Sequence, residues 1–137
     1  MSAKFNFVAG SGFALLAKIR KTDQTFPTYD ADMSPSGDPQ TFDLAVYDDK
    51  AGTTIKTLTN QAYALNSNWF DTLQTDYGWE EEQPEAEFGY NFRFDNSTDV
   101  IFTTTAAVAW RTYRFVLTLR NATESPFVFT MEGLATT

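Results

Sequence analysis

Four segments of this chain alternate large apolar side chains with polar or small ones at a period of two, the periodicity of a strand with one face buried. Phe42, Leu44 and Val46 alternate with Asp43, Ala45 and Tyr47. Phe88, Tyr90, Phe92 and Phe94 alternate with Gly89, Asn91, Arg93 and Asp95. Tyr113, Phe115, Leu117 and Leu119 alternate with Thr112, Arg114, Val116, Thr118 and Arg120, and Phe127, Phe129 and Met131 with Val128, Thr130 and Glu132. A helix advances about 100° per residue and would scatter each set around its circumference, so these segments predict strands. The 13 Phe suit the same pleated, half-buried surfaces.

Shorter segments fill the rest. Residues 13–20, 53–59, 69–75 and 100–104 are weaker strand candidates. The Gly10-Ser11-Gly12 turn makes Phe5, Phe7 and Val8 the expected hairpin partner of 13–20. Helix has room only as a short piece at 61–66 or within 13–20, whose Ala and Leu favour it. Turn chemistry separates the strands at Asp48-Asp49-Lys50-Ala51-Gly52, at Asp95-Asn96-Ser97 and between Asn121 and Pro126. The expectation is an all-β chain: one antiparallel, immunoglobulin-like β-sandwich of about seven or eight strands, a single domain over residues 1–137. Two longer connections interrupt it. Residues 22–40 carry Pro27, Pro35, Gly37 and Pro39 and are expected to run over the surface, whereas 76–87 carry six acids and no base.

Composition narrows the chemistry. A chain of 137 residues, 42% of them hydrophobic, has material for one core. It has no Cys and no His, which removes disulfides, thiolate catalysis and the commonest metal ligand and general base. Acyl transfer by Ser lacks its usual base, no Gly-rich phosphate loop is present, and paired carboxylates are uninformative among 18 acids. The chain is therefore expected not to be an enzyme and to need no cofactor. A net charge of −8 opposes nucleic acid and anionic membranes, because such a surface repels phosphates. No apolar run approaches the ~20 residues of a membrane helix, and the broken apolar stretch at 5–16 lacks a signal-peptide core.

Three constellations invite a site. Tyr29-Asp30-Ala31-Asp32-Met33-Ser34-Pro35-Ser36-Gly37-Asp38 offers oxygens at the alternate spacing of a calcium loop, but its Gly comes late, Pro35 stiffens it and no closing Glu follows, so no metal is expected. Asn96-Ser97-Thr98 and Asn121-Ala122-Thr123 match the glycosylation pattern and read as turns. Trp69, Phe70, Tyr77 and Trp79 cluster beside the acidic run. They are candidate interaction residues: core plugs, anchors of a protein interface, or a stacking platform for sugars.

Gly89-Tyr90-Asn91-Phe92-Arg93-Phe94, then Arg111-Thr112-Tyr113-Arg114-Phe115-Val116-Leu117-Thr118-Leu119, then Ser125-Pro126-Phe127-Val128-Phe129-Thr130-Met131-Glu132-Gly133 resemble the closing strands of small immunoglobulin-like β-sandwich proteins of tailed-bacteriophage particles. The resemblance spans residues 88–134. It implies a non-enzymatic virion component of the tail, baseplate, adaptor or head-decoration kind, made in the host cytoplasm, that forms homo-oligomers and binds other virion proteins. The alternative is a carbohydrate-binding sandwich using exposed Trp and Tyr, with a glycan as partner.

Overall fold

The computed structural model describes residues 3–8, 14–35, 40–76, 89–95 and 108–136. Its strands are β1 (Ala3–Val8), β2 (Ala14–Ala17), β3 (Thr41–Asp48), β4 (Thr53–Ala62), β5 (Trp69–Gln74), β6 (Tyr90–Asp95), β7 (Thr112–Leu119) and β8 (Phe127–Thr136). They form a five-stranded sheet in the order β1-β8-β7-β3-β4 and a three-stranded sheet in the order β2-β6-β5. The expected strand at 100–104 lies outside the described residues. The sheets meet face to face: Phe42 of β3 packs edge-on against Phe92 and Phe94 of β6, with ring centroids 5.3 and 5.4 Å apart. Leu15, Leu44, Trp69, Phe92, Phe115 and Leu117 share the buried core. The order β8-β7-β3-β4 against β2-β6-β5 is the G-F-C-C′ against B-E-D arrangement of an immunoglobulin-like sandwich, as expected.

Several local expectations are corrected. The segments read as a first hairpin enter different sheets. β2 pairs with β6, and β1 pairs with β8 in parallel, the one parallel pair among the described strands. Phe7 explains the exchange, for it is buried against Tyr113 and Phe115 of β7, at 6.3 and 6.0 Å, while Leu15 and Ala17 approach the core from the opposite sheet. A hairpin would have placed all three on one sheet. The strand expected within 13–20 is present as β2, and β4 runs through Ala62, so the room left for a short helix at 61–66 is not used.

The connection at 22–40 does not simply cross the surface. A single π-helical turn at Tyr29–Met33 drops Met33 into the core and buries Asp32, Ser34 and Pro27. Asp32 accepts the Thr28 N–H on Oδ2 at 2.9 Å, meets Lys21 Nζ at 3.3 Å, and its carbonyl accepts the Ala122 N–H at 2.9 Å. Proline content excluded a central strand here; it did not exclude burial, because these partners satisfy the polar groups.

Alternation also fails in β6, where Tyr90, Asn91 and Phe92 are all buried. Asn91 occupies the place of a missing strand residue: its Oδ1 accepts the Ile19 N–H at 2.8 Å and its Nδ2 donates to the Ile19 carbonyl at 2.9 Å. Tyr90 packs edge-on against Phe70 and its hydroxyl donates to Asp76. Just before it, Gly89 has φ +111°, and a Cβ there would run into the Gln74 carbonyl, so only glycine fits.

In β4 the inward residues fall at Ile55, Leu58 and Gln61, a spacing of three. Two slips of register against β3 produce it, each adding one β4 residue: Val46 faces Lys56 while Tyr47 faces Thr54, and Leu44 faces Leu58 while Phe42 faces Gln61. Such bulges, with Lys56, also blunt an open sheet edge.

The charge network fixes a pH profile. The Arg120 guanidinium and the Asn60 N–H hold the Asp43 carboxyl below the usual carboxylate range, and Arg114 does the same to Asp49. At Asp48 burial opposes the charge, yet the Ala51 N–H and Arg111 still lower its pKa. Carboxyls depressed in the fold stabilise it above their unfolded value of 3.8, and that contribution is lost as pH falls through the lower folded values. Burial raises Tyr63 and pushes Tyr90 up to about 12, so both stay neutral in the fold after an unfolded tyrosine ionises near pH 10. With no His or Cys between these limits, urea midpoints are expected to be flat from about pH 5 to 9 and to fall on either side. A step near pH 6.5 would contradict this.

Candidate interaction site at the Trp110 corner

The site grows from the entry to β7. Tyr113, its second residue, points inward, and its hydroxyl accepts the Val108 N–H at 2.8 Å. A Tyr at the start of this strand bonding back to the backbone a few residues upstream is the tyrosine corner of immunoglobulin-like sandwiches. The turn it closes is tied at every step. Arg111 N–H donates to the Val108 carbonyl at 3.1 Å, Trp110 N–H to the Ala135 carbonyl at 2.6 Å, and Ala135 N–H to the Arg111 carbonyl at 3.0 Å. These bonds hold Trp110 at φ +69°, a left-handed conformation that a bulky residue rarely adopts. The indole is 67% exposed and Val108 beside it 49% exposed.

The β3–β4 turn forms the facing wall, and two arginines of the corner and β7 clamp it. Arg111 Nη1 meets Asp48 Oδ2 at 2.7 Å, while Asp48 Oδ1 accepts the Ala51 N–H at 3.1 Å. Arg114 meets both Asp49 oxygens, at 2.9 and 3.1 Å, with its guanidinium 4.3 Å over the Tyr47 ring. Between the walls lies a groove of about 640 Å³, lined by residues that include Trp110, Val108, Lys50, Thr112 and Glu132. Lys50 and Glu132, of opposite charge, have no ion-pair partner in the chain among the described residues. The lining carries three cations (Lys50, Arg111, Arg114) and two carboxylates (Asp49, Glu132), and the buried Asp48 behind it offsets Arg111, so these charges balance on a chain of net charge −8. A rigid exposed aromatic beside a groove makes this corner the candidate interaction surface; among the described residues no group of three or more His, Cys, Asp or Glu side chains is placed to hold a metal ion.

Of the four residues singled out in the sequence, the two described ones, Trp69 and Phe70, fall elsewhere. Trp69 is fully buried in the core, its Nε1–H donating to Asp71 Oδ1 at 3.2 Å, which is the plug reading rather than the anchor. Phe70 is half-buried between Tyr90 and the Arg93 guanidinium, 5.2 Å from its ring centre. Tyr77 and Trp79 lie outside the described residues. Of the calcium-loop oxygens, Asp32 is engaged as above, Asp30 is exposed and Asp38 lies outside the described residues. Asn121 is held in a turn, accepting the Thr123 and Glu124 N–H groups on Oδ1 at 3.0 and 2.8 Å. Trp110 escaped sequence reading, although one signal pointed to it. Extending the β7 alternation back from Tyr113 puts every even-numbered residue outside, the tryptophan included.

The strain has a measurable consequence. Glycine adopts φ +69° without steric cost, and an indole this exposed contributes little packing, so Trp110→Gly is expected to stabilise the domain by about 1 kcal/mol. Chemical denaturation measures it. A large loss would mean that Trp110 is held for the fold and not for display.

Comparison with known proteins gives no match: no protein family fits the chain, and neither a curated protein nor a solved structure is similar to it.

Proposed function

We propose that this chain is a non-enzymatic structural component of a tailed-bacteriophage particle, of the tail, baseplate, adaptor or head-decoration kind, which assembles through protein–protein contacts at the Trp110 corner. The observation that carries the reading is a large aromatic held outward in a left-handed backbone by a closed set of hydrogen bonds. An anchor ordered before binding loses little conformational freedom on docking, which is what a repeated assembly contact needs. The immunoglobulin-like strand order agrees with what the resemblance over 88–134 implies, and a neutral patch on an acidic chain allows approach of a partner without repulsion.

Quantitative mass spectrometry of purified particles tests it. The chain is expected at a fixed stoichiometry, and particles carrying Trp110→Ala are expected to lose it while keeping their genome. A chain absent from particles defeats the proposal. The same indole, beside the Thr112 hydroxyl and the Asp49 and Glu132 carboxylates, also supports a carbohydrate-binding reading. A glycan panel separates the two, since only a sugar site gives saturable binding by the isolated chain that disappears in Trp110→Ala.

A further inference from the structure

We propose that the partner at the Trp110 corner is a second copy of this chain, related by a two-fold axis through the groove. The inference rests on reading this corner as a docking site, but not on where the protein resides. An isologous contact brings the same patch together with itself, so a residue i that meets j is matched by j meeting i. The patch is suited to this. Trp110 and Val108, large and exposed, supply its apolar centre. Lys50 on one wall and Glu132 on the groove surface are the two lining charges that form no ion pair among the described residues, and they are opposite in sign.

A two-fold pairing sets each Lys50 against the partner's Glu132 and therefore forms two ion pairs at the rim. The other lining charges do not oppose it, because Arg111 is satisfied by Asp48 and Arg114 by Asp49. Electrostatics also favour approach at this groove. Two chains of net charge −8 repel at most orientations, and a groove with balanced charge is where they approach at least cost. The open edge of β4 is a poorer candidate, since two bulges and Lys56 interrupt it.

Analytical ultracentrifugation of the full chain over a concentration series reads the outcome. The wild type is expected to dimerise reversibly, more weakly in high salt, and Trp110→Ala to run as a folded monomer. Lys50→Glu alone and Glu132→Lys alone each replace two attractions by two repulsions and are expected to raise the dimer Kd by roughly tenfold or more. Mixing these two variants is decisive. In the mixed dimer each introduced charge faces an opposite one, so affinity is expected to return to near the wild-type value, whereas each variant alone stays monomeric at the same concentration.

A wild-type chain that remains monomeric throughout overturns the pairing, and so does a mixture that restores nothing. Saturable binding of a sugar to a monomer, lost in Trp110→Ala, overturns it as well. Particle composition is a separate readout. A chain present in particles but monomeric and indifferent to the charge exchange overturns the pairing alone, whereas a charge-exchange-sensitive dimer absent from particles supports the pairing and defeats the particle reading.

Discussion

Replacing Asn91 with leucine is expected to cost about 2–6 kcal/mol, although the two side chains are of similar size. The Asn91 amide satisfies both the N–H and the carbonyl of Ile19, and all of these groups are buried. Leucine removes both partners at once, and each orphaned backbone group costs about 1–3 kcal/mol. Against a typical domain stability of about 5–15 kcal/mol the variant is marginal or unfolded. Urea unfolding measures the loss. Asn91→Asp sharpens the test: the introduced carboxylate keeps an acceptor for the Ile19 N–H but turns a second acceptor toward the Ile19 carbonyl. Its folded pKa is therefore raised, and this variant is expected to gain stability as pH falls from 7 toward about 5, a window in which the wild type is flat. A loss below about 1 kcal/mol for Asn91→Leu would show that the bond pair adds little to the β2–β6 ladder that it extends.

Truncating Phe115 to alanine is expected to cost about 3–5 kcal/mol. This ring is completely buried, packs edge-on against Phe7 at 6.0 Å, and lies two residues after the corner tyrosine. Antibody domains place the second cysteine of their core disulfide at that position. This chain has no cysteine, so the same place between the sheets is filled by aromatic packing. Phe129 is only half-buried, so its truncation is expected to cost less, and Arg114→Ala, on the outer face, much less again. Equal losses at Phe115 and Phe129 would mean that the two rings bury alike and that β8 tilts differently from the description above.

These two sites mark where the sequence was legible and where it was not. Phe115 was readable because its strand is regular: every second residue from Tyr113 to Leu119 faces one core, and parity alone places them. Asn91 was misread by the same rule, which put it outside with Arg93. Parity describes an ideal strand, and β6 departs from that at Tyr90 to Phe92, where the register against β5 slips, the extra residues lying in β5, and a polar side chain completes the neighbouring ladder. The surface loop expected at 22–40 failed for a related reason. Proline forbids ladder bonds but says nothing of whether a distant carbonyl or lysine will satisfy a buried turn, and here Lys21, Ala122 and Tyr63 surround it.

The candidate site was the least legible part. Tryptophans attract attention through their neighbours in sequence, and Trp69 stood beside another aromatic and an acidic run, whereas Trp110 stood among small residues. Exposure depends on the third dimension: Trp69 joins the buried core, and the turn that displays Trp110 is held by four hydrogen bonds, two of them to a strand more than twenty residues later. Side-chain period, turn residues and the absence of Cys and His are local properties, so an all-β sandwich without disulfide, thiolate or imidazole chemistry was legible along the chain. Which strand joins which sheet, which polar group is buried and which aromatic is displayed depend on long-range pairings such as β1 with β8 and Trp110 with Ala135. These were settled only on folding, because the free energy of each choice lies in contacts between residues far apart along the chain.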